Sequence, residues 1–407
     1  MERTDVLVVG AGPAGLATSH ELTTAGIEHV VLERARVAQS WRDRWASFCL
    51  VTPNWTVQLP GGAYAGDDPD GFIPRDEIVA HMERYASGFG APVREGVDVT
   101  ALRPASGGGF EATTSAGPIA ARDVVLCTGS FPRQFRPPAL SALPADVPIV
   151  DLRGYHAPDG LPPGAILVVG SGQSGCQLAE ELHDAGRDVV LSCGRAPWSP
   201  RRIGDHDTVW WALESGFLDV PLASLPMPGM RLVGNPQTSG HDGGHDLHLR
   251  TLRAAGVTLA GHFVGVEGRR ARFASDLPAT AAWGDDRWRD FSGFVRKTAT
   301  ERGLPMPDLV TPEPITDEGP GSIPLDGLGA VVLAGGFRPD YDWLPWPEAF
   351  DERGFPITVD GTSSIVPDLH FVGVHFLRKR KSSNLLGMGE DATVVAATIA
   401  SRARRPD

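Results

Sequence analysis

Residues 4–15, TDVLVVGAGPAG, and residues 164–175, GAILVVGSGQSG, decide the fold. Each is a short apolar run, rich in valine, that stops at a cluster of glycines, as a strand buried on both faces does. LATSHELTTAG follows the first, a helical stretch with a closing glycine, and HVVLE reads as the next strand. CQLAEELHDAG and DVVLSCGR repeat this order after the second. Strand, glycine turn, helix, strand is thus written twice, 160 residues apart. The pattern predicts an α/β protein with two Rossmann-like units, the second inserted into the first.

Working outward, a helix is expected near 76–87, and β-like segments run up to ARDVVLCTG. The proline-dense run at 130–148 reads as a linker. Further helices are expected near 206–215, 245–254 and 282–302, with a strand pair at 257–268 and 270–274. GLGAVVLAGGFRPD and DLHFVG return to strands, and a last helix spans 390–402. The expected division gives residues 1–145 with 326–407 to one unit and 146–325 to the other.

Composition bounds the function. The 407 residues are 42% hydrophobic and 21% charged, as in a globular protein. No apolar run approaches the roughly 20 residues of a membrane span, and the start does not read as a signal peptide. A net charge of −13 argues against a nucleic-acid surface. The expected home is the cytoplasm, with an oligomer possible. Cys49, Cys127, Cys176 and Cys193 form no CxxC pair, which argues against a disulfide framework, a zinc ribbon and a redox dithiol. Three lysines stand against 34 arginines, with only three asparagines; codon bias explains the scarcity. His241, His245 and His248 lack a companion ligand pattern, and a glycine-rich loop entering a helix accounts for them.

The first turn is Gly10-x-Gly12-x-x-Gly15. The first glycine permits the turn, the second lets a pyrophosphate approach, the third lets helix and strand pack closely, and the helix N-terminus faces the phosphates. Glu33, 23 residues after Gly10, ends the next strand, where a carboxylate accepts both ribose hydroxyls. This ending suits FAD. In the second turn, Gly170-x-Gly172-x-x-Gly175, the same step reaches Cys193, with Arg195 two residues on. An arginine pairs with the 2′-phosphate that an acid would repel, so the second site suits NADPH, with Arg201 and Arg202 as further partners. Two strands that end in small residues, Val125 to Gly129 and Val331 to Gly336, are expected to support the first unit.

The chain resembles the class B flavin-dependent monooxygenases, among them bacterial flavin-containing monooxygenase-like proteins and plant auxin-forming enzymes. GAGPAG, SWRDRWASFCLVTPNWTVQLPG, VVLCTG, VVGSGQSGCQLAEEL, LSCGRAPWSPRR and VGVHFLRKRKSSNLLGMGEDA carry the resemblance across most of its length. It implies that NADPH reduces FAD, that oxygen adds to the flavin as a C4a-(hydro)peroxide, and that one oxygen atom passes to a small organic molecule, at N or S. It implies a catalytic carboxamide at Asn54. The implied cofactor contacts are Gly10, Gly12, Pro13, Ala14, Gly15, Glu33, Arg34, Trp41, Arg42, Thr52, Asn54, Val99, Cys127, Thr128, Gly129, Gly170, Ser171, Gly172, Gln173, Ser174, Gly175, Ser192, Arg195, Arg201 and Gly389.

Each has a plainer alternative: a loop turn for Asn54, a core ring for Trp41, a strand contact for Thr52. The basic run 378–384 is either a solvated loop or a closure over the flavin edge, with GMGEDA bringing the last helix to the flavin. Tryptophans 210, 211, 283, 288, 343 and 346 either wall an aromatic pocket or pack the core. The chain departs from the family at FxGxxxHxxxY, which is missing; His156 follows Tyr155 instead. Baeyer–Villiger insertion by the same intermediate stays open. So does a flavin reductase or oxidase of the pyridine-nucleotide reductase superfamily, which commonly needs a cysteine pair.

Overall fold

A computed structural model describes residues 1–129 and 132–403. The first unit opens with β1 (Glu2–Val9), α1 (Pro13–Thr24) and β2 (His29–Glu33). It continues through α2 (Arg75–Gly88), β3 (Val93–Glu95), β4 (Val99–Pro104), β5 (Phe110–Thr114) and β6 (Ile119–Leu126). The second unit holds β7 (Ile149–Asp151), β8 (Ala165–Val169), α3 (Gln173–Asp184), β9 (Val189–Ser192), α4 (Thr208–Glu214), α5 (Leu249–Ala255) and β10 (Thr258–Ala260). Then come β11 (Phe263–Glu267), β12 (Arg270–Phe273), α6 (Leu277–Arg302), β13 (Ser322–Pro324) and β14 (Leu328–Leu333). The chain returns through β15 (Thr358–Val359), β16 (Thr362–Ser363), β17 (Leu369–Phe371) and α7 (Met388–Ala403).

The first sheet runs β15-β16-β17-β6-β1-β2-β3, with β5 on β6 and β4 on β5. Its centre is parallel: β1 lies between β2 and β6, with Val9 opposite Leu32 and Leu126. The second sheet runs β7-β14-β8-β9-β10 and is parallel throughout. The apolar stretches of both central strands are buried: Val6, Leu7, Val8, Ile166, Leu167 and Val168 are fully covered. That is why they read as unbroken apolar runs, since layers on both faces leave no side for polar residues. α1 and α7 share one face of the first sheet, whose inward residues form one core with α2.

The sheet pairing moves one expected boundary. β14 was expected in the first unit, from residue 326 onward; it pairs instead with β7 and β8 in the second sheet. A parallel sheet needs its central strand covered at both edges, and β14 does for β8 what β6 does for β1. The return crossing follows it, where Phe337–Arg338 pairs with Arg133–Gln134. The expected strand at 257–268 also splits, because β10 closes the second sheet while β11 pairs with β12.

Trp211 and Trp288 are buried with Trp198 and Phe291 in one cluster, each indole N–H satisfied. Trp343 and Trp346 pack on the first sheet. The basic run 378–384 joins the units. Leu222 N–H donates to Arg378 O (3.1 Å) and Arg380 N–H to Val220 O (3.0 Å). Lys379 and Lys381 both pair with Asp219 and Glu390, Lys381 being only 6% exposed.

The two glycine turns are near copies. Gly10 and Gly170 sit at φ +104° and +108°, where a side chain is strained. A Cβ on Gly15 would lie 1.8 Å from Gly10 O, and one on Gly175 would lie 1.9 Å from Gly170 O. A Cβ on Gly12 or Gly172 would meet nothing within 4 Å. Gly15→Ala should therefore cost about 1–3 kcal/mol by overpacking, whereas Gly12→Ala should stay within about 0.5 kcal/mol of the parent. Chemical denaturation of the two variants compares them directly; equal losses would mean that packing does not set the roles of the two glycines.

Candidate functional site

Each turn presents an open helix end. Gly12 and Gly172 precede α1 and α3, neither of which has a side-chain cap or an acid in its first turn. The first N–H groups of a helix have no intrahelical acceptor, so both ends favour an anion. Proline at position 13 loses nothing there, because its missing donor would be unpaired anyway. The empty space at Gly12, with uncapped donors behind it, fits the close approach of a phosphate group, and Gly172 repeats the fit. Ala14 meets the C-terminal segment, where a Cβ on Gly373 would lie 2.6 Å from its side chain.

The two ends then diverge. Glu33 is 8% exposed; its Oε2 accepts from Ala11 N–H at 2.8 Å and its Oε1 from Ala35 N–H at 3.0 Å. Each carboxylate oxygen keeps a lone pair for a ribose hydroxyl. Arg34 beside it is exposed. Val97 N–H donates to Glu33 O (3.0 Å), which brings the start of β4, with half-buried Val99, next to this end. In the second unit Ser171 Oγ donates to Gly194 O (2.9 Å) and accepts from Gly194 N–H (3.0 Å). That pair fixes the loop carrying Arg195, which is exposed and makes no ion pair among the described residues. Ser192 is turned inward, donating to Gly261 O at 3.1 Å.

A strap crosses the second turn. Gln237 is 2% exposed and donates to Ser171 O, and Gln173 Nε2 reaches Pro236 O (3.3 Å) and Thr238 Oγ1 (3.4 Å). Ser174 follows at the start of α3, half-buried. No motif marks this strap, because its contacts are long-range and mostly to backbone.

Arg201 departs from expectation. Rather than facing an anion site, its guanidinium is 97% buried, donates to Asp207 and to Val51 O (2.8 Å), and lies 4.9 Å over Phe72. Asp207 also caps α4 through Val209 N–H (2.8 Å). A guanidinium matched to a buried carboxylate joins the two units and has no charge left for a phosphate. Arg202 is exposed.

Asn54 departs as well. It is 2% exposed; Nδ2 donates to Asp68 O (2.8 Å) and Oδ1 accepts from Ile73 N–H (2.7 Å). The carboxamide braces the loop 68–73 rather than facing open space. Thr52 Oγ1 pairs with Thr56 Oγ1 at 2.7 Å. Trp41 is half-buried with its ring 5.9 Å from that of Phe48, and Arg42 pairs with Glu83 on α2. Gly389, in the first turn of α7, leaves no room for a side chain: a Cβ would lie 2.8 Å from Pro60.

Cys127, Thr128 and Gly129 end β6, where Cys127 O stands 2.6 Å from the place of a Gly10 Cβ. Ala334 O stands 2.5 Å from that of Gly170, so Val331 to Gly336 serve the second turn and not the first. All four cysteines are buried free thiols. Burial pushes Cys49 up to about 11 and Cys127 and Cys193 up to about 12, and holds Cys176 well above the usual thiol range. Thiols held protonated and out of reach do not exchange disulfides. His248 caps α5 and His245 pairs with Glu180 at 2.7 Å.

Residues 7–209 match the family model described as pyridine nucleotide-disulphide oxidoreductase. An uncharacterized CzcO-like oxidoreductase of Geobacillus kaustophilus is 30% identical over 95% of this chain and 96% of its own. The indole-3-pyruvate monooxygenase YUCCA4 of Oryza sativa subsp. japonica is 26% identical over 55% of this chain and 60% of its own. Among solved structures, a flavin-containing monooxygenase from Stenotrophomonas maltophilia matches at a TM-score of 0.69 and 17% identity, covering 99% of this chain and 100% of that one. The two-turn architecture is thus that of the flavin monooxygenases, and the chain belongs to the pyridine nucleotide-disulphide oxidoreductase family.

Proposed function

We propose that this chain is an NADPH-dependent FAD monooxygenase that oxygenates a small organic molecule, at nitrogen or sulfur, in the cytoplasm. The observation that carries the reading is the contrast between two otherwise matched turns: one ends in Glu33, the other in exposed Arg195. In this reading the N-terminus of α1 holds the FAD phosphates and Glu33 accepts from the adenosine ribose. The N-terminus of α3 holds the NADPH diphosphate, and Arg195 pairs with its 2′-phosphate. When bound, FAD supplies hydride acceptance and the reaction with oxygen. The buried, protonated thiols support oxygen, rather than a disulfide, as the electron acceptor. Arg201 and Asn54 act as positioning residues: one ties the 51–72 segment to the second unit, the other shapes the loop 68–73.

Incubation with NADPH, labelled oxygen and a panel of amines and sulfides tests the reading. One labelled atom should enter the product, and the protein should release FAD on heating. Hydrogen peroxide alone, with no label in any product, would leave an NADPH oxidase; release of FMN would overturn the first site.

Arg195→Ala should raise KM for NADPH roughly ten- to hundred-fold, the loss of one charge-assisted contact of about 1.5–3 kcal/mol, with NADH kinetics unchanged. Steady-state kinetics with both nucleotides decide it. Equal losses would make Arg195 structural.

Asn54→Ala strands the buried Ile73 N–H and Asp68 carbonyl, a cost of about 1–3 kcal/mol. Thermal melts should show that loss while FAD and flavin reduction are retained, and peroxide release per NADPH should rise. A variant with unchanged stability and unchanged peroxide release would remove Asn54 from the site.

A further inference from the structure

Within the basic run 378–384 one cation stands apart. Lys379 and Lys381 share Asp219 and Glu390, and Arg378 pairs with Asp360 at 3.1 Å and Asp391 at 3.2 Å. Arg380, between the two lysines, makes no side-chain hydrogen bond or ion pair among the described residues; its Nε is wholly covered and lacks an acceptor. A polar group taken from water is ordinarily matched, and a guanidinium has five donors to match. Burial alone holds Arg380 down to about 10, with no carboxylate acting against it. Lys379 beside it is raised, first by its hydrogen bond to Asp219.

Two rings cover this guanidinium. Its central carbon lies 4.1 Å over Phe217 and 4.9 Å over Phe376. Phe217 follows α4 in the second unit and meets Phe291 and Phe294 of α6 edge-on, at 5.4 and 5.6 Å. Phe376 belongs to the C-terminal return and is fully buried at φ +51°, a left-handed conformation that is strained in so large a residue. Three residues earlier, Gly373 abuts Ala14 of the first turn, so the segment that carries the arginine starts at the first site. At its other end Arg380 N–H donates to Val220 O (3.0 Å). Arg380 is half-buried, and its terminal nitrogens, unlike Nε, keep contact with solvent. The surroundings are positive: Arg231 Nε donates to His375 O (2.9 Å), its nearest acid, Asp351, is 3.9 Å away, and burial, then Arg231, then Arg380 hold His375 down to about 4. A cation desolvated by rings and open at its terminal nitrogens fits a planar carboxylate in a two-point fork. The rings suit an organic body behind that carboxylate better than a bare inorganic anion.

We propose that Arg380, with Phe217 and Phe376, binds the carboxylate of the substrate, so that the molecule this chain oxygenates is a small organic acid. This rests on the monooxygenase reading and names its substrate class. The two rings come from different units, so an acid held there touches both.

Benzoate and benzamide serve as binding probes, and methylthioacetate and its amide as substrates. Benzoate should raise the melting midpoint of the purified parent and benzamide should not, since a ligand bound only to the folded form stabilises it. Arg380→Gln should weaken benzoate binding roughly ten- to hundred-fold, the loss of one charge-assisted contact, and Arg380→Lys should recover part of it. With NADPH and oxygen, one oxygen atom enters the sulfide and the other leaves as water. The parent should prefer methylthioacetate to its amide roughly ten- to hundred-fold in kcat/KM, and Arg380→Gln should bring that ratio near one through KM. Equal stabilisation by benzoate and benzamide, or benzoate binding unchanged in Arg380→Gln, overturns the proposal and leaves the arginine a clamp between two rings. Inorganic phosphate that stabilises through Arg380 more than benzoate does also overturns it, assigning the cation to a nucleotide. If Arg380→Gln does not fold, the parent's difference between benzoate and benzamide decides alone. Oxygenation of neutral sulfides with no preference for acids overturns the site and leaves the monooxygenase standing. Benzoate binding through Arg380 with no sulfide oxygenated overturns the monooxygenase reading instead, a failure distinct from that of Arg380.

Discussion

The carbonyl of Cys127 stands where a side chain on Gly10 would be, and the carbonyl of Ala334 does the same for Gly170. These contacts between the end of a central strand and the end of its neighbour force the chain to turn at a positive φ and release a helix at once. From that constraint follow the open helix ends, the short distance from turn to second strand, and the placement of Glu33 and Arg195 at equivalent edges. A side chain at either first glycine would push the strands apart before any ligand arrived. The chemistry of the site is thus set by packing, and the ligand meets a geometry that already exists.

This constraint also accounts for what was legible in the sequence. Both turns, their helices and flanking strands could be read because local sterics demand glycine at fixed offsets, and burial on both faces demands unbroken apolar runs. Glu33 and Arg195 were legible for the same reason, as they sit a fixed distance from a readable turn. β14 was readable as a strand, but its sheet was not. Nothing in LGAVVL states which central strand it will flank, and the proline-rich crossings on either side hide the change of unit.

The residues that departed from expectation share a cause. Arg201, Asn54 and the lysines of 378–384 are polar groups whose partners no local motif announces: Asp207 and Val51, Asp68 and Ile73, Asp219 and Glu390. The resemblance implied a catalytic role for Asn54, and the basic run was open between a solvated loop and a closure over the flavin edge. Their burial answers differently. A polar group removed from water must be matched, and here the matching groups belong to the loop 68–73 and to the seam between units. Such residues constrain activity by fixing where loops and units stand.

The seam is held by charges matched within the protein, and this bears on how two bound dinucleotides would meet. Arg201 with Asp207, and the lysines with Asp219 and Glu390, are compensated within the protein and hold the units together whatever is bound. A seam fixed in this way holds the two glycine turns in one frame. Hydride transfer between two bound dinucleotides would need such a frame, since a small displacement of reacting centres can cost orders of magnitude in rate. The compensated pairs of the seam supply that fixed placement.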